Sequence, residues 1–293
     1  MSGADPLEDF LDRHELIPSS ASIAPGAETP KWRIIAFLGR GGTAEVYRAV
    51  HKSLPLQAAM KVLLRGDGSR RERFRREADL LSCLESPALP RIYDSGEVDG
   101  KPYMTMELLD PCELPRCDKA VATFLIAVAG GVKALHDLGI VHRDLKPQNI
   151  MRRKDGAPVI IDLGLAKTMD GSQQLPPLST LSIVDGKCVG LGTPSYAAPE
   201  QFGGGEITPA SDIHALGRLA NECFGGKPPR AWRRIIEHAT SSIPVLRYQS
   251  VDEFVRAIRR RNLWRNIGKA LLVMFAIGLL VDIAIVAVIV WLL

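Results

Sequence analysis

The sequence predicts an α+β architecture: a small β-rich lobe, a larger helical lobe after it, and one transmembrane helix at the C-terminus. Three observations carry this. Strand-like runs crowd the stretch from Trp32 to Leu109, helical periodicity dominates after Pro115, and the closing stretch "ALLVMFAIGLLVDIAIVAVIVWLL" is almost wholly apolar.

Each element has its own justification. Residues 1–30 are acidic and then rich in Ser, Ala and Pro ("PSSASIAPGAETP"), so they are expected to form a solvated arm with too little apolar surface to order itself. The folded part is expected over 31–262. "WRIIAFLG", "EVYRAV" and "QAAMKVLL" gather β-formers between turns and read as strands. A charged helix is expected from about Ser69 to Glu85, then two more strands ending in "YMTMELL". In "TPASDIHALGRLANECFGG", Thr208 is placed as the N-cap, Pro209 at the first helical position and Gly225 as the stop. "SVDEF" offers a capping box of Ser250 with Glu253.

A basic juxtamembrane segment, 263–269, leads into the helix expected over 270–293. That helix would be about 36 Å long at roughly 1.5 Å per residue, against a hydrocarbon layer of roughly 30 Å. Asp282 costs about 3 kcal/mol near the bilayer centre, whereas the Leu, Ile, Val and Phe residues together contribute roughly 5 kcal/mol, so insertion wins. The basic run predicts that residues 1–269 stay on the cytoplasmic side of the cell membrane, with Trp264 and Trp291 near the two interfaces and the C-terminus on the far side. No sensor domain is expected beyond Leu293. An intramembrane carboxylate is expected either to face a partner or to stay protonated, so Asp282 is read both as a candidate contact to another membrane protein or a second copy of the chain and as a neutral, unpaired carboxyl.

Charge and cysteine content exclude other classes. Six bases (Arg256, Arg259, Arg260, Arg261, Arg265, Lys269) fall between 256 and 269 with no acid among them; removing these 6 from 37 leaves 31 bases against 33 acids. The remainder is close to neutral, which argues against a nucleic-acid-binding face. The 5 cysteines form no C-x-x-C pair and are odd in number, the pattern of reduced cytosolic thiols, and Cys188 reads as an ordinary one. The N-terminus lacks the basic-then-apolar pattern of a signal peptide.

The chemistry lies in a series of short motifs. "LGRGGTAEVYRA" puts Gly39, Gly41 and Gly42 between two strands, where backbone amides can approach phosphate oxygens without a Cβ in the way. Lys61 stands in the apolar strand "AAMKVL", a place with little other use for a charge, and Glu77 in "RFRREADLL" is positioned to reach it from a facing helix. "VHRDLKPQN" then sets Asp144, Lys146 and Asn149 in one loop, and "DLG" and "GTPSYAAPEQF" follow. This ordered set resembles the Hanks-type protein kinases, and in detail their bacterial serine/threonine members, over roughly residues 32–261.

The resemblance implies a bilobal protein-kinase-like fold, ATP as phosphoryl donor, Mg2+ (or Mn2+) as cofactor, and protein substrates that include the kinase itself. It implies that Asp144 is the base toward the substrate hydroxyl and that Lys146 neutralises the moving phosphoryl group. Asn149 and Asp162 would hold the metal, and Lys61 would clamp the α and β phosphates while paired with Glu77. Val46, Ala59 and Met151 resemble the walls of the adenine pocket, Leu38 is implied as a further ATP-binding residue, Met106 resembles the gatekeeper, and Glu107 to Leu109 the hinge. Asp212 resembles the helix aspartate that holds the catalytic-loop backbone, and Arg247 the buried partner of Glu200. Arg143 beside Asp144 is similar to kinases whose activation segment is ordered by phosphorylation. Ser179, Thr180 and Ser182 are then the acceptors, with Thr193 contacting Asp144 and Lys146.

Departures from the family pattern are Leu163 in place of phenylalanine, Ala44 in place of a third glycine, and a compressed stretch between Asp212 and Arg247. There the family usually has another helix for docking protein substrates, so the C-lobe is expected to be shortened near helix G. Two other readings stay open at this stage: a membrane-tethered nucleotide-binding scaffold, and a kinase acting on a small molecule or lipid.

Overall fold

The computed structural model describes residues 21–41, 43–64, 68–163, 167–168, 182–184, 187–189, 195–202, 206–261, 274–275 and 277–278. The first lobe is built on β1 (Trp32–Arg40), β2 (Ala44–His51), β3 (Gln57–Leu63), β4 (Ile92–Val98) and β5 (Lys101–Glu107), with helix α1 (Gly68–Cys83) between β3 and β4. The strands form one antiparallel sheet in the order β1-β2-β3-β5-β4.

The two-residue period of β3 assigns its side chains. Ala58, Met60 and Val62 enter one apolar cluster with Trp32, Ile34 and Tyr47. Leu63 lies on the other face, against Phe74 and Ala78 of α1 and Met104 of β5. Lys61 shares that second face by alternation, which aims its ammonium at the helix.

The stretch expected as an arm over 1–30 is not solvated throughout. Residues 21–29 are packed: Ile23 is buried in the Trp32 cluster, and Gly26 and Ala27 exchange backbone hydrogen bonds with Ile34. One apolar side chain and an open sheet edge supply what the Ser, Ala and Pro composition lacks.

The second lobe follows. Strand β6 (Asp110–Pro111) leads to α2 (Asp118–His136), then β7 (Ile140–Val141), β8 (Ile150–Arg152) and β9 (Pro158–Ile160). Further pairs are β10 (Lys167–Thr168), which joins β7, and the hairpin of β11 (Ser182–Val184) with β12 (Lys187–Val189). Helices α3 (Pro209–Cys223), α4 (Arg230–Ala239) and α5 (residues 251–261) complete it. Helix α2 is long and apolar enough to cross a membrane by composition, yet its apolar residues, from Val121 to Leu135, form the centre of the lobe's core. Gly217 sets α3 directly against α4, since a Cβ there would lie 2.7 Å from Thr240 and 2.8 Å from Ala239.

Helix ends differ in detail from expectation. Thr208 is the N-cap residue of α3, with Pro209 at its first position, but its side chain makes no capping bond; the helix ends at Cys223, and Gly225 and Gly226 then take positive φ of 59° and 78°. Ser250 Oγ accepts the Glu253 N–H, while the Glu253 carboxylate accepts from Gln249 rather than closing the box on Ser250. Residues 224–229, between α3 and α4, hold no helix, so the chain passes from one to the other through a short turn. Residues 262–273 and 279–293, including Asp282, lie outside the described residues; the helical positions Met274, Phe275 and Ile277 are exposed.

Candidate active site

Lys61 Nζ lies 2.8 Å and 3.1 Å from the two carboxylate oxygens of Glu77 and 3.2 Å from Asp162 Oδ1. Burial alone would push the Lys61 ammonium down, but Glu77 and Asp162 outweigh it and raise its pKa, so the group stays charged. Glu77 also accepts the backbone N–H of Leu163 at 3.2 Å, which ties α1 to the residue after Asp162. Leu163 is itself buried in the second core, as a residue in place of phenylalanine must be. Asp162 has φ of 71°, a left-handed backbone unusual for a residue with a Cβ, and its side chain is 44% exposed.

The loop from His142 to Asn149 is held from below. Buried Asp212 accepts the backbone N–H groups of His142 and Arg143, each at 2.8 Å, and lies 2.7 Å from His136 Nε2. Burial would raise its carboxyl; the bonds from His136 and the loop prevail and hold it below its ordinary value. Arg143 has φ of 71°, and Gln201 Nε2 donates to its carbonyl at 2.8 Å, so the strained residue is fixed from both sides.

Within the loop, Asp144 Oδ2 accepts from Lys146 Nζ at 2.7 Å and from Asn149 Nδ2 at 3.0 Å. Asn149 Nδ2 also donates to the Asp144 carbonyl at 2.8 Å. The amide nitrogen of Asn149 is thereby engaged, and its Oδ1 has no hydrogen-bond partner among the described residues. The Asn149 carbonyl accepts from Ile161 N at 2.8 Å, and Ile150 pairs with Ile160, so β8 and β9 hold Asn149 beside Asp162. An amide oxygen and a half-exposed carboxylate suit a hard divalent cation that takes its remaining ligands from phosphate and water. Consistently, no group of three His, Cys, Asp or Glu residues among the described residues forms a closed metal cage.

The glycine-rich turn is open on the side where its missing Cβ atoms would point. A Cβ at Gly39 would meet nothing within 4 Å, and one at Gly41 would meet only the Ala44 carbonyl at 3.7 Å, so packing within the protein does not demand glycine at either. Open space above the turn is what a phosphate chain requires. Leu38 is exposed, Ala59 is buried, and Val46, Leu109 and Met151 are half-buried. Met106 pairs with Ala59 and packs against the α1-facing cluster.

Arg247 donates to Glu200 through two bonds of 2.7 Å and also to the carbonyls of Ser241 and Ala210, while Ser211 Oγ donates to Glu200. Gly42, Ser179, Thr180 and Thr193 lie outside the described residues, and Ser182 is described only as the backbone start of β11.

With this geometry in place, comparison with known proteins is direct: residues 32–267 match the model of the protein kinase domain. The chain belongs to the protein kinase family. PknH of Mycobacterium tuberculosis, named a serine/threonine-protein kinase, is 34% identical over 203 residues, 66% of this chain and 31% of PknH. PknF of the same organism, also named a serine/threonine-protein kinase, is 32% identical over 249 residues, 78% of this chain and 49% of PknF. The chain thus spans half or less of the curated relatives it matches. The crystal structure of the M. tuberculosis PknI kinase domain aligns with a TM-score of 0.62 at 25% identity, covering 82% of this chain and 100% of that one.

Several residues that shape this kinase domain are silent in the sequence. Arg153, in a charged turn with no distinguishing pattern, forks onto Glu107 through bonds of 2.7 Å and 2.8 Å and donates to the carbonyls of Pro87 and Leu89, bracing the end of β5. Glu45, fully buried beside the glycine-rich turn, accepts from Arg40, Tyr47 and Ser22. Burial would raise its carboxyl, but these donors hold it at about 2. Neither Arg153 nor Ser22 stands in a run whose period or composition gives it away.

Proposed function

We propose that this chain is an ATP-dependent serine/threonine protein kinase, held to a membrane by residues 270–293 and activated by phosphorylation of its own activation segment. One observation carries the reading: β8 and β9 unite two charge groups, Lys61 with Glu77 and Asp162 on one side and Asp144 with Lys146 and Asn149 on the other. Phosphoryl transfer needs little covalent help, so fixed charges and aligned oxygens account for most of its catalysis.

Asp144 Oδ1, the oxygen not engaged by Lys146 or Asn149, orients the incoming serine or threonine hydroxyl and takes its proton. Lys146, held on the same carboxylate, meets the negative charge of the γ-phosphoryl group. Lys61, kept charged and aimed by Glu77, binds the α and β phosphates under the glycine-rich turn. Asn149 Oδ1 and Asp162 would hold Mg2+ or Mn2+, which would supply positive charge against the phosphates. Protein hydroxyls as acceptors are supported by the relatives, which are named serine/threonine-protein kinases.

Control by phosphate is supported by Arg143. Its Nε is buried with no hydrogen-bond partner among the described residues, and burial lowers the pKa of its guanidinium. An anion on the activation segment would relieve that desolvation, and Ser179, Thr180 and Ser182 are the acceptors within reach in sequence. Anchoring is supported by the apolar tail and by the exposure of Met274, Phe275 and Ile277.

The test is transfer of labelled γ-phosphate from ATP with Mg2+ to a generic protein substrate and to the chain itself, with Asp144→Asn as control. Transfer by the wild type and a loss of about 10²-fold or more in the variant is expected. Nucleotide binding with no transfer by the wild-type chain would make it a scaffold instead.

A further inference from the structure

We infer that the outer faces of α4 and α5 form an arginine surface that docks the kinase domain onto the anionic phospholipid headgroups of the membrane holding its tail. The inference rests on the anchoring proposed above and adds an orientation to it.

Arg230, Arg233 and Arg234 on α4 and Arg256, Arg259 and Arg260 on α5 are all exposed. None of the six side chains has a hydrogen-bond or ion-pair partner among the described residues. Both helices bury their opposite sides, Trp232, Ile235, Ile236, Phe254 and Ile258, in one core. Their arrangement is antiparallel where it can be read. Arg261, at the end of α5, lies 4.6 Å over the ring of Trp232 near the start of α4. At the other end the tilted rings of His238 and Tyr248 lie 4.1 Å apart, and the Tyr248 ring meets Phe254 at 5.7 Å.

This geometry segregates charge. The acids of the two helices, Glu237, Asp252 and Glu253, collect at the His238 end, where Asp252 lies 3.7 Å from Lys133 and Glu253 bonds Gln249. The arginines collect at the Arg261 end, where the chain continues into Arg265, Lys269 and the apolar stretch. Asp118, at the start of α2, meets Arg261 and Trp232 at that end but none of the six, so like charges gather there with no acid of their own, and folding does not explain gathering them.

Three features select a lipid surface as the partner. The sequence from Asn262 to Lys269 spans at most about 28 Å when fully extended, so the patch is confined near any bilayer that holds the tail. Electrostatic attraction decays over roughly 8 Å at physiological salt, so only a docked domain gains it in full. All six residues are arginine, whose forked donors fit phosphate, and each favours association with an anionic leaflet by roughly fivefold.

The test uses the full chain reconstituted in vesicles of phosphatidylcholine alone or with phosphatidylglycerol. Retention in both vesicle types through an alkaline wash checks the anchor by itself; loss from both would sink the anchor and this inference with it. Given retention, arginine-specific labelling read by mass spectrometry reports docking. Labelling of the six should slow by fivefold or more in the anionic vesicles and recover in 0.5 M salt (about a 4 Å screening length), with exposed Arg75 unchanged. Equal labelling of the patch in both vesicle types overturns the docking while leaving the anchor standing. Equal protection in neutral vesicles by an added RNA or DNA oligonucleotide would assign the surface to nucleic acid, and overturn it as well. Replacing Arg233, Arg234, Arg259 and Arg260 by Gln should abolish the lipid-dependent difference without loss of the anchor or of basal transfer.

Discussion

Two ion pairs of this molecule join the same kinds of group and are built in opposite ways. Arg247 with Glu200 is sealed: the arginine side chain is fully buried, and its bonds go to the Glu200 carboxylate and to two backbone carbonyls. Lys61 with Glu77 lies at the mouth between the lobes, and its ammonium has a third acceptor in Asp162, which is half-exposed. A pair whose donors all end inside the protein holds elements together. One that leaves a charge facing open space can also hold a ligand, and the difference separates scaffold from chemistry more sharply than residue type does.

The largest expected effect breaks the sealed pair. Arg247→Leu leaves the buried Glu200 carboxylate without its cation, and removal of one partner from such a pair costs about 3–5 kcal/mol. Urea unfolding of the variant should show this loss. If Arg247→Leu unfolds at the same urea concentration as the wild type, the pair is not the scaffold described here.

Next comes the open pair, where the loss should fall on catalysis. Lys61→Met should lower kcat/KM for ATP by about 10²–10³-fold. Its urea midpoint should stay near that of the wild type, because methionine fills the stem volume and Glu77 keeps its bond from Leu163. A variant that loses stability as Arg247→Leu does would erase the distinction between the two pairs.

How far the sequence reveals these features follows the same division. Lys61, Glu77, Asp144, Lys146, Asn149 and Asp162 are legible as a set because an ordered series of short motifs marks them, and the five-stranded sheet is legible from runs of β-formers. The compressed passage from α3 to α4 is legible as a missing stretch of chain. Strands β6 to β12 are not, since two or three residues carry no period and are fixed by what they pair with. His136 is equally silent, being one polar residue at the end of an apolar helix until Asp212 folds against it. Residues 21–29 read as solvated arm because a single Ile among Ser, Ala, Pro and Gly gives no pattern, and only the finished sheet offers the site that Ile23 fills.

The sealed pair has a titrating neighbour. His214 is buried, with Nδ1 3.2 Å from the Tyr196 carbonyl, and burial together with the Arg247 charge pushes its pKa down from 6.5 to about 4. The folded chain therefore holds it neutral, while the unfolded chain takes up a proton near its ordinary pKa. Its contribution is complete above pH 6.5 and is lost as the pH falls toward 4, by up to roughly 3 kcal/mol. Urea unfolding between pH 7.5 and 4.5 should show a smaller loss for His214→Gln than for the wild type. Parallel losses would mean that His214 is protonated in the folded state.

The smallest expected effect concerns a pair between the two extremes. Glu45 is fully buried, more so than Glu200, yet its cation, Arg40, is 42% exposed on the glycine-rich turn, and the Ser22 hydroxyl and N–H supply what the arginine does not. Ser22→Ala removes one hydrogen bond to a charged group, about 1.5–3 kcal/mol, and leaves the Ser22 N–H and Tyr47 in place, which should bring the loss toward the lower figure. Because Arg40 belongs to the turn proposed to cover the phosphates, the same variant should raise KM for ATP by a few fold with kcat nearly unchanged. A loss of stability with no change in KM would place Glu45 wholly with the sealed pair. A raised KM would mean that residues outside the kinase motifs set how firmly the turn is held, so an open charge near a ligand depends on a closed one behind it.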